Sequence, residues 1–573
     1  MKENLELKNS FRIIDSIHIL KKWISEKSKK NILKLTFFSI FIGVLEVISL
    51  ISVGSIINLF NLTNNIEIPF FNQLNPNESI FIFTLVFASY INIVSFMKIK
   101  TISFGNFLSA GIGQEISIKL LKNFLGHPLL IHKSRESTKV LNTFTIHLTQ
   151  TTKFIFFVMQ LIVNSLSTVF ILSFIVFKTP LLIIGIFFSI SLVYIYMAKI
   201  FKPKNIKASK NAKISADNIS CLVQGINSNI EKYILEYKDK NTIDTFAKYD
   251  KLLRTSFAKS KNYNVLPRYI IESVAISTFL ILSTLSSLIF KIDNVTLIAN
   301  LSVSLFGIQK LLPSINLIYQ SWTQMNFCMP SVYAVRELIL ENSDNLRIEN
   351  SQISKRYFKK SIEIHNIAYG YDKKNYIINK FNLKINKGER ILIKGKSGLG
   401  KTTLVNIICS LIKPSMGKII IDGKVLGKNI DYSLWRRQIG LVKQKTFLKN
   451  GKIINLILGE NLDCELKRSI KKAKYFAKLA CIDDFIESLP NGYLHYIDED
   501  GKSLSGGQMQ RIAIANALSL NPALLILDES TTGVDKETES KIFKNLFDLS
   551  QITIITISHS KNIEKIFDRH ITF

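Results

Sequence analysis

The sequence feature that most constrains the fold of this chain is the stretch GKSGLGKT at residues 395–402. A short apolar run at 391–393 precedes it and residues 403–411 have helical character, so it lies between a predicted strand and a predicted helix. Glycines allow backbone N–H groups to wrap a phosphate at a helix N-terminus, where the helix dipole favours an anion. A chance glycine-rich turn is the alternative interpretation. The strand–loop–helix setting favours a nucleotide-binding loop in an α/β domain.

The last residues of this loop predict which groups it binds. Lys401 is expected to pair with the β- and γ-phosphates of ATP, and the hydroxyl of Thr402 is expected to bind Mg²⁺. The residues expected to contact the nucleotide are Gly395, Lys396, Ser397, Gly398, Leu399, Gly400, Lys401, Thr402 and Thr403. ATP and Mg²⁺ are therefore the expected cofactors.

Composition indicates a membrane protein with several domains. The chain has 573 residues, and domains usually have about 150 residues each. Hydrophobic residues make up 47% of the chain, and most long apolar runs precede residue 319. The formal net charge is +31, and lysines interleaved with apolar runs favour loops that face anionic lipid. No aromatic and basic recognition motif is present, so we expect a phospholipid membrane and no nucleic acid as partner. The five cysteines lack metal-ligand spacing and are expected to be reduced packing residues.

The first 30 residues predict a helix at the membrane surface. They alternate charged with isolated apolar residues, so no cleavable signal peptide is expected. Apolar residues recur at helical spacing beside basic ones, which favours an interfacial helix on the cytoplasmic leaflet. An ordinary solvated amphipathic helix is the alternative.

Six predominantly apolar stretches are long enough to cross a bilayer, which takes about 20 residues each. They lie near residues 32–60, 80–99, 154–177, 181–201, 265–290 and 297–319. The loops 111–153 and 202–261 are long and rich in lysine, whereas 61–78 contains no Lys or Arg. By the positive-inside rule, both termini and the two long loops are expected in the cytoplasm. Their helical periodicity predicts that membrane helices continue into these loops.

The chain therefore divides into four segments. They are an interfacial helix at 1–30, an all-α six-helix transmembrane domain at 31–328, a polar linker at 329–360 and a nucleotide-binding domain at 361–573. The last segment has short β-branched strands alternating with helices, which predicts an α/β fold. We therefore expect a multi-pass protein of the cytoplasmic (inner) membrane.

Three further signals in the α/β domain suit a nucleotide. Tyr371 precedes the phosphate loop and could stack on a purine ring, although surface tyrosines after strands are common. Gln444 follows the apolar run 439–442, where its amide could reach Mg²⁺ and the attacking water, although a solvated polar residue is the plainer interpretation. Ser505, Gly506, Gly507 and Gln508 stand before a predicted helix and form a second phosphate-binding helix end.

Two further apolar runs predict buried strands that end in functional side chains. The first, at 523–527, is followed by Asp528 and Glu529 at the carboxyl edge of the sheet. Asp528 is expected to hold Mg²⁺ through water, and Glu529 to polarise the hydrolytic water as a general base. The second, at 552–557, leads to His559, whose imidazole could contact the γ-phosphate.

These motifs, in this order after six spans, resemble those of ATP-binding cassette (ABC) exporters that fuse one membrane domain to one ATPase domain. The motifs that carry the resemblance are GKSGLGKT, LSGGQ, LLILDES and SHS. The resemblance implies that Glu499 is the coupling-loop acid and that Asp535 is the D-loop aspartate. It also implies that Tyr371 is the aromatic residue that stacks on adenine, that Gln444 is the Q-loop residue and that His559 is the switch histidine of the ATP site. Asn516 departs from the pattern, since many members have arginine there.

The resemblance also implies a quaternary structure. In this family the signature sequence of one cassette closes over the phosphate loop of another, so a chain with a single cassette implies a dimer. A symmetric homodimer is the simplest case. The resemblance further places coupling helices near 129–140 and 223–235.

The membrane domain carries hints about cargo. The segments LPRYIIE at 266–272 and KLLPSIN at 310–316 resemble elements of bacterial lipid-linked oligosaccharide flippases. This implies a polyprenyl-pyrophosphate glycan as cargo, with Lys310 and Arg268 as candidate contacts to its pyrophosphate. For Arg268 an i,i+4 ion pair with Glu272 is the alternative. Lys98 and Lys100, near the inner boundary of a span, are expected to snorkel to the interface.

Two other functions stay open. One is an exporter of a different cargo, such as a lipid, a peptide or a drug. The other is an ATP-gated channel or regulator on the same scaffold.

Overall fold

A computed structural model describes residues 13–61, 76–178, 180–236, 239–290, 294–340, 357–370, 376–396, 398–444, 446–459, 465–498, 503–560 and 562–573. The chain divides into two compact units. The first comprises Met1–His127 and Lys133–Asp344, and the second comprises Pro128–His132 and Asn345–Phe573. Tyr371, Ser397 and Glu499, three of the residues singled out in the sequence, lie outside the described residues.

The first unit is helical. Its elements are α1 (Ile13–Trp23), α2 (Glu26–Asn61), α3 (Pro76–Gly126), α5 (Ser137–Asn142), α6 (Leu148–Lys178), α7 (Pro180–Ser228), α8 (Ile230–Glu236), α9 (Asp239–Phe290) and α10 (Asn294–Leu340). The short helix α4 (Leu129–Ser134) begins in the segment that belongs to the second unit and ends in the segment that belongs to the first. A π-helical turn, Thr143–His147, joins α5 to α6.

Each of the six predicted spans falls within one long helix. Helix α3 has 51 residues and α9 has 52, so each is about 75 Å long at 1.5 Å per residue. The hydrocarbon core of a bilayer is only about 30 Å thick. These helices therefore continue well past a membrane span, as the periodicity of the long loops predicts. Among the described residues, four segments are long and apolar enough to cross a membrane: Glu26–Ser52, Phe81–Gly126, Ser137–Phe177 and Asn241–Ile281.

Helix α1 has one buried face and one exposed face. Leu20 and Trp23 are buried and join the same core as Leu35 of α2 and Phe154 of α6, whereas Ile14 is largely exposed. This two-sided pattern is typical of an amphipathic helix and fits both interpretations of the segment.

The last membrane-domain helix is longer than the apolar pattern predicts. Helix α10 ends at Leu340, so residues 329–340 of the predicted linker are helical. Met329, Val332 and Val335 are fully buried in this part, which explains why the helix continues beyond the apolar span. Pro313 and Pro330 both lie within the helix.

The second unit is an α/β domain built on three sheets. Its strands are β1 (Ser361–Tyr369), β2 (Ile378–Asn386), β3 (Arg390–Lys394), β4 (Met416–Ile421), β5 (Lys424–Val425), β6 (Ile439–Val442), β7 (Gly451–Lys452), β8 (Tyr496–Ile497), β9 (Leu524–Asp528), β10 (Thr553–Ile557) and β11 (Arg569–Thr572). An antiparallel sheet has the order β2-β1-β4-β5, and β7 pairs with β8. The central sheet has the order β11-β3-β10-β9-β6, and all of its pairings are parallel.

The second unit contains the α-helices α11 (Lys401–Ile408), α12 (Tyr432–Arg436), α13 (Ile453–Leu458), α14 (Leu466–Leu479), α15 (Asp483–Ser488), α16 (Gly506–Ser519) and α17 (Lys536–Phe547). Helix α11 contacts β9 of the central sheet, and α16 contacts β6. Every residue of β9 and β10 is buried, which explains the unbroken apolar runs that the sequence shows for these strands. Trp435 is fully buried, and its indole Nε1 donates to the carbonyl of Ile408 at 2.8 Å.

Candidate functional site

The candidate site lies at the carboxyl edge of the central sheet. Four neighbouring parallel strands end there, in the order β3, β10, β9 and β6. β3 leads into the phosphate loop, β10 into His559, β9 into Glu529 and β6 into Gln444. Because parallel strands present their carboxyl ends at one edge, segments distant in sequence meet here.

The phosphate loop ends where α11 begins. Gly400 is the N-cap residue of this helix and has a left-handed φ of +96°. A Cβ at this position would lie 2.7 Å from Cγ2 of Ile377, so both the backbone conformation and the close approach require glycine. Lys401 is buried, and its Nζ donates to the carbonyls of Gly395 and Lys396. These two bonds fold the lysine side chain back onto the loop that precedes α11.

Asp528 and Thr402 form the oxygen-rich part of the site. Asp528 is only 6% exposed, and its carboxylate accepts a hydrogen bond from the Thr402 side chain. Burial raises the pKa of Asp528, the bond from Thr402 opposes this rise, and the nearby Glu529 adds to it. A divalent cation would favour the ionised carboxylate. Carboxylate, hydroxyl and amide oxygens are the ligands that Mg²⁺ prefers, so Asp528, Thr402 and Gln444 fit this ion.

Glu529 is held between two of the other predicted residues. Nε2 of Gln444 donates to Oε2 of Glu529 at 2.6 Å. Nε2 of His559 lies 3.5 Å from Oε1 of the same carboxylate. The sequence singles out these three residues separately, and the structure brings them together. Glu529 has a left-handed φ of +48°, a conformation that non-glycine residues seldom adopt outside functional or tightly constrained sites.

The signature residues begin α16. Ser505 is its N-cap and forms a capping box with Gln508: the Gln508 N–H donates to Ser505 Oγ at 3.2 Å, and the Ser505 N–H donates to Gln508 Oε1 at 2.8 Å. This reciprocal pair defines the helix start and leaves the N–H groups of Gly506 and Gly507 for a ligand. A Cβ at Gly507 would lie 2.3 Å from the carbonyl oxygen of Gly533.

Asp535 caps the next helix. Its Oδ1 accepts from the Thr538 backbone N–H at 2.9 Å, and this bond lowers the pKa of the carboxyl below its ordinary value. The carboxylate is therefore ionised at the start of α17.

Two buried residues at the site are missed by reasoning from sequence. Gln510 accepts from the Gly533 N–H at 3.1 Å and makes longer contacts with the Gln444 carbonyl and the Thr532 hydroxyl. Its only signal in the sequence is its place two residues after the signature.

Glu539 is the second missed residue, and it links two loops. It accepts from the Thr531 hydroxyl at 2.7 Å and from the Ser560 hydroxyl at 2.9 Å. Thr531 follows Glu529, and Ser560 follows His559. The buried carboxylate therefore ties the loop of the general base to the loop of the histidine.

Asn516, the departure from the ABC pattern, has a structural role. Its Nδ2 donates to the carbonyls of Leu456 and Ile457, at 2.9 and 3.0 Å. These carbonyls lie at the C-terminal end of α13, where helix acceptors lack partners within the helix.

The candidate cargo residues lie in the helical unit. Nε of Arg268 donates to Oε1 of Glu272 at 2.8 Å, and the arginine is 55% exposed. This is the i,i+4 pair that the sequence offers as an alternative. Lys310 donates to the hydroxyl of Ser49 and lies 5.2 Å from the ring centroid of Phe306.

The structure also changes the interpretation of Lys98. The sequence predicts that this lysine snorkels, but its Nζ donates to Oε1 of Glu46 at 2.6 Å. Glu46 is buried within an otherwise apolar span and was not singled out in the sequence. Lys100 lies over the ring of Phe96 instead, 5.3 Å from its centroid.

Comparison with known proteins identifies the second unit. Residues 378–532 match the family model for the ABC transporter. This chain contains an ABC transporter ATPase domain. The match extends from β2, before the phosphate loop, to Thr532 after β9, and it includes the signature sequence. An ABC ATPase domain implies ATP binding.

Relatives of the ABC domain occur in several transport proteins. The chain is 30% identical over 386 residues to the lacticin-481/lactococcin-DR transport/processing ATP-binding protein of Lactococcus lactis subsp. lactis, covering 65% of this chain and 52% of the relative. It is 42% identical over 200 residues to an alpha-hemolysin translocation ATP-binding protein of Escherichia coli O157:H7, covering 35% of this chain and 28% of the relative. It is 41% identical over 203 residues to the ATP-dependent lipid A-core flippase of Desulfotalea psychrophila, covering 35% and 34%. The chain thus matches about half the length of these relatives, or less.

The fold extends the likeness beyond the ABC domain. A bacterial Atm1-family ABC exporter with ATP bound has a TM-score of 0.78 to this structure, covering 96% of this chain and 94% of that chain. The two sequences are 19% identical, so the likeness describes the fold. The predicted fold class is confirmed: a helical domain with several apolar helices precedes an α/β ABC ATPase domain.

Proposed function

We propose that the chain is an ATP-driven exporter that moves an amphiphilic cargo across the cytoplasmic membrane by alternating access. The observation that carries this proposal is the position of Glu529, held between Gln444 and His559 at the sheet edge that also presents the phosphate loop. The ABC domain supplies ATP hydrolysis, and the long apolar helices of the same chain supply the path. Both termini and the long loops are assigned to the cytoplasm by their lysine content.

Each site residue has a separate role in the proposed ATP hydrolysis. Lys401 and the N-terminus of α11 bind the phosphates. Thr402 and Asp528 would hold Mg²⁺, which neutralises charge developing on the transferred phosphoryl group. Glu529 orients the attacking water and accepts its proton, while His559 lies beside it to contact the γ-phosphate. Gln444 already donates to Glu529, so a movement of the loop that follows β6 would also change the position of this carboxylate.

A symmetric homodimer completes the site. The chain has one phosphate loop and one signature helix, and the N–H groups of the signature helix need an anionic ligand. In the dimer, the signature of one chain closes over the ATP bound by its partner. ATP then holds the two cassettes together, and hydrolysis releases them.

For the cargo we propose a lipid-linked oligosaccharide or a similar amphiphile. The segments around Arg268 and Lys310 support this choice by resemblance. A different cargo is supported by the relatives, which are proteins of lacticin-481/lactococcin-DR transport, alpha-hemolysin translocation and lipid A-core flipping. An ATP-gated channel or regulator would not need continuous ATP turnover. ATP turnover that a transported lipid stimulates therefore distinguishes an exporter from these alternatives.

Reconstitution in liposomes tests this function. The full chain is placed in vesicles that contain lipid-linked oligosaccharides, lipid A-type lipids or encapsulated peptides, and ATP-dependent movement of each is measured. We expect movement of a lipid-linked glycan, together with ATP turnover that this lipid stimulates. The matched control is Glu529→Gln, which should move no cargo. Movement of a peptide alone would reject the glycan, and steady-state ATP turnover that responds to none of these cargoes would reject the exporter.

A further inference from the structure

One long helix of the first unit contains an extra residue in one of its turns. Helix α5, the π turn Thr143–His147 and α6 follow one another without a break, so residues 137–178 form one helix. The N–H of Leu148 donates to the carbonyl of Thr143, five residues earlier, which is the π-helical bond. The turn precedes the predicted span at 154–177 and lies in the part of the helix assigned to the cytoplasm. Single π turns within α-helices are frequent at functional sites.

A carboxylate of the neighbouring helix α7 contacts both ends of this turn. Nδ2 of Asn142, directly before the turn, donates to Oδ1 of Asp217 at 2.9 Å. Nε2 of His147, the last residue of the turn, lies 3.6 Å from the same oxygen. Asn142 and His147 are both buried. The hydroxyl of Ser220, also on α7, donates to Oδ1 of Asn142 at 2.9 Å, so α7 holds the beginning of the turn twice.

The spacing of these contacts depends on the π register. In a regular α-helix, residues five apart point about 140° away from each other. Asn142 and His147 would then lie on different faces of the helix, and one carboxylate oxygen would not contact both. The wider π turn brings positions five apart towards one face. The contacts of Asp217 therefore stabilise the π register over the α register.

The carboxyl group of Asp217 is ionised at this position. Burial raises its pKa, but hydrogen bonds from His147 and Asn142 and the nearby charge of Lys213 bring the pKa below its ordinary value. An ionised acceptor forms stronger hydrogen bonds than a neutral one. The preference for the π register therefore comes from a charged contact between two helices.

The surroundings of the turn allow it to change. A cavity of about 390 Å³ is lined by Thr143 and His147 of the turn, by Asp217 of α7 and by Glu337 of α10. Unfilled volume beside the turn leaves room for the backbone to move.

Threonine hydroxyls also donate to carbonyls in and around the turn. They join Thr145 to Leu141 at 2.9 Å, Thr149 to Thr145 at 2.6 Å and Thr151 to His147 at 2.8 Å. Such bonds to carbonyls four residues earlier give the backbone acceptors a second kind of donor. The carbonyl groups here therefore keep a partner while backbone hydrogen bonds are exchanged.

We propose that the π turn Thr143–His147 is a register switch, which the contacts of Asp217 with Asn142 and His147 hold in its π form. When these contacts open, the turn closes to a regular α-helix. The residues before the turn then rotate by about 100° and shift by about 1.5 Å relative to those after it. A two-state element of this kind converts a small local change into a discrete movement.

The switch lies on the covalent path between the two units. Residues 128–132 belong to the second unit, where Leu129 packs on the hydrophobic core of the α/β domain. Residues 133–142 connect this segment to the turn, and α6 after the turn contains the third predicted span. A change of register therefore alters the connection between the ATPase domain and this span. Its use in transport rests on the proposed exporter function.

Cysteine labelling reads the register. Thr138 is buried and Leu141 is exposed. Closing the turn moves each residue before it into the place of its predecessor, so Thr138 reaches the exposed place of Ser137 and Leu141 the half-buried place of Val140. Thr138→Cys and Leu141→Cys are each introduced into full-length protein whose five native cysteines are replaced by alanine, and labelling with a maleimide is followed in nanodiscs.

We expect the two labelling rates to change in opposite directions when the switch opens. Asp217→Ala removes the acceptor, so labelling at position 138 should rise about tenfold or more and labelling at 141 should fall, as expected for loss of a hydrogen bond to a charged group. Asp217→Asn keeps an acceptor oxygen and should change both rates less. Asp250→Ala is the matched control, because it removes an aspartate paired with Arg254 on α9 and should change neither rate. Nucleotide-free protein and Glu529→Gln with bound ATP should also differ in opposite directions at the two positions.

A deletion tests the extra residue itself. Thr145 is exposed within the turn, and its deletion lets the helix become regular while both flanks keep their faces. This variant should have a melting temperature close to that of the wild type and retain basal ATP turnover, but it should move no cargo because the register is fixed. Deletion of Val169, which is exposed in the regular part of α6, is the control and should lower the melting temperature strongly.

Several results would overturn the switch. They are unchanged or parallel labelling at positions 138 and 141 in Asp217→Ala, the same labelling in both nucleotide states, and equal losses of stability in the two deletions. If labelling shows the change of register but the wild type moves no cargo, the switch stands and the exporter function fails. If the protein without Thr145 moves cargo as the wild type does, the exporter stands and the switch fails.

Discussion

Glu529 has a hydrogen-bond or ionic partner on each of its carboxylate oxygens. Its backbone has a left-handed φ, so the residue is positioned by the chain as well as by its side-chain partners. Such over-determined positions are typical of groups that must be aligned before reaction. At the scale of single residues, the site is defined by this carboxylate and by the side chains that orient it.

Replacement of Glu529 by Gln tests its role as the base. The amide keeps the shape of the side chain and can no longer accept a proton, so we expect ATP binding to be retained and turnover to fall by about 10²–10⁴-fold. The ATP-bound dimer should be trapped in the closed form. Steady-state ATPase assays and nucleotide retention measure both effects. Turnover near that of the wild type would show that another group is the base.

Glu539 is expected to be a positioning residue, because it touches the loops of Glu529 and His559 and not the nucleotide. Glu539→Ala leaves the buried Thr531 hydroxyl and the half-buried Ser560 hydroxyl without their acceptor, so it should lose about 1–3 kcal/mol of stability and lower kcat. Glu539→Gln keeps one acceptor oxygen and should recover much of both. The KM for ATP should change little in either variant.

A neighbouring glutamate provides the control for Glu539. Glu537 lies on the same helix but is exposed and paired with Lys541, so Glu537→Gln should match the wild type in kcat and stability. A purely structural role for Glu539 would lower stability in Glu539→Ala without lowering kcat at a temperature where the variant is folded.

At the scale of elements, the order of the parallel strands brings the segments of the candidate site together. β3, β10, β9 and β6 are neighbours, although they are spread over more than 150 residues of the chain. The starts of α16 and α17 are each defined by an N-cap side chain, Ser505 and Asp535. The segment before α17 packs directly on α16 at Gly507 and Gly533.

The contact between these helix starts predicts different effects of two adjacent substitutions. Gly507→Ala forces a Cβ to 2.3 Å from the Gly533 carbonyl oxygen, and overpacking of this kind costs about 1–3 kcal/mol. Gly506→Ala meets no atom within 4 Å and is the matched control. Thermal denaturation should show a lower melting temperature for the first variant only. Equal melting temperatures would mean that the two loops can separate without cost.

At the scale of the whole molecule, the proposed function requires two chains per functional unit. A single cassette supplies a phosphate loop and a signature helix. In a symmetric dimer, each ATP contacts the loop of one chain and the signature of the other.

Mixing two inactive variants tests the dimer. Lys401→Ala breaks the phosphate loop and Ser505→Phe blocks the signature, so homodimers of either variant have no complete site. A mixed dimer has one intact site, so random co-assembly should restore about a quarter of wild-type ATPase activity at most. Two affinity tags purify the mixed dimer and confirm that it formed. If purified mixed dimers have no ATPase activity, the hypothesis that each composite site works independently is contradicted.

Much of the nucleotide site can be predicted because its signals are local in sequence. Each functional segment directly follows an apolar strand, and strand ends of a parallel sheet must meet at one edge. The capping box of Ser505 and Gln508 spans three residues, and the Arg268–Glu272 pair spans four, so both patterns are visible in the sequence. The roles of Tyr371, Ser397 and Glu499 stay predictions, since these three residues lie outside the described residues.

The sequence by itself determined the two-part architecture, the apolar helices of the first part and the ABC ATPase domain of the second, because periodicity and short motifs depend on neighbours along the chain. Only the tertiary structure decided which distant groups meet. Gln444 reaches Glu529 across 85 residues, and Lys98 reaches Glu46 across 52. The partners of Glu539 depend on where two separate loops end. Such pairings follow from strand order and helix packing, which bring together side chains that no local pattern connects.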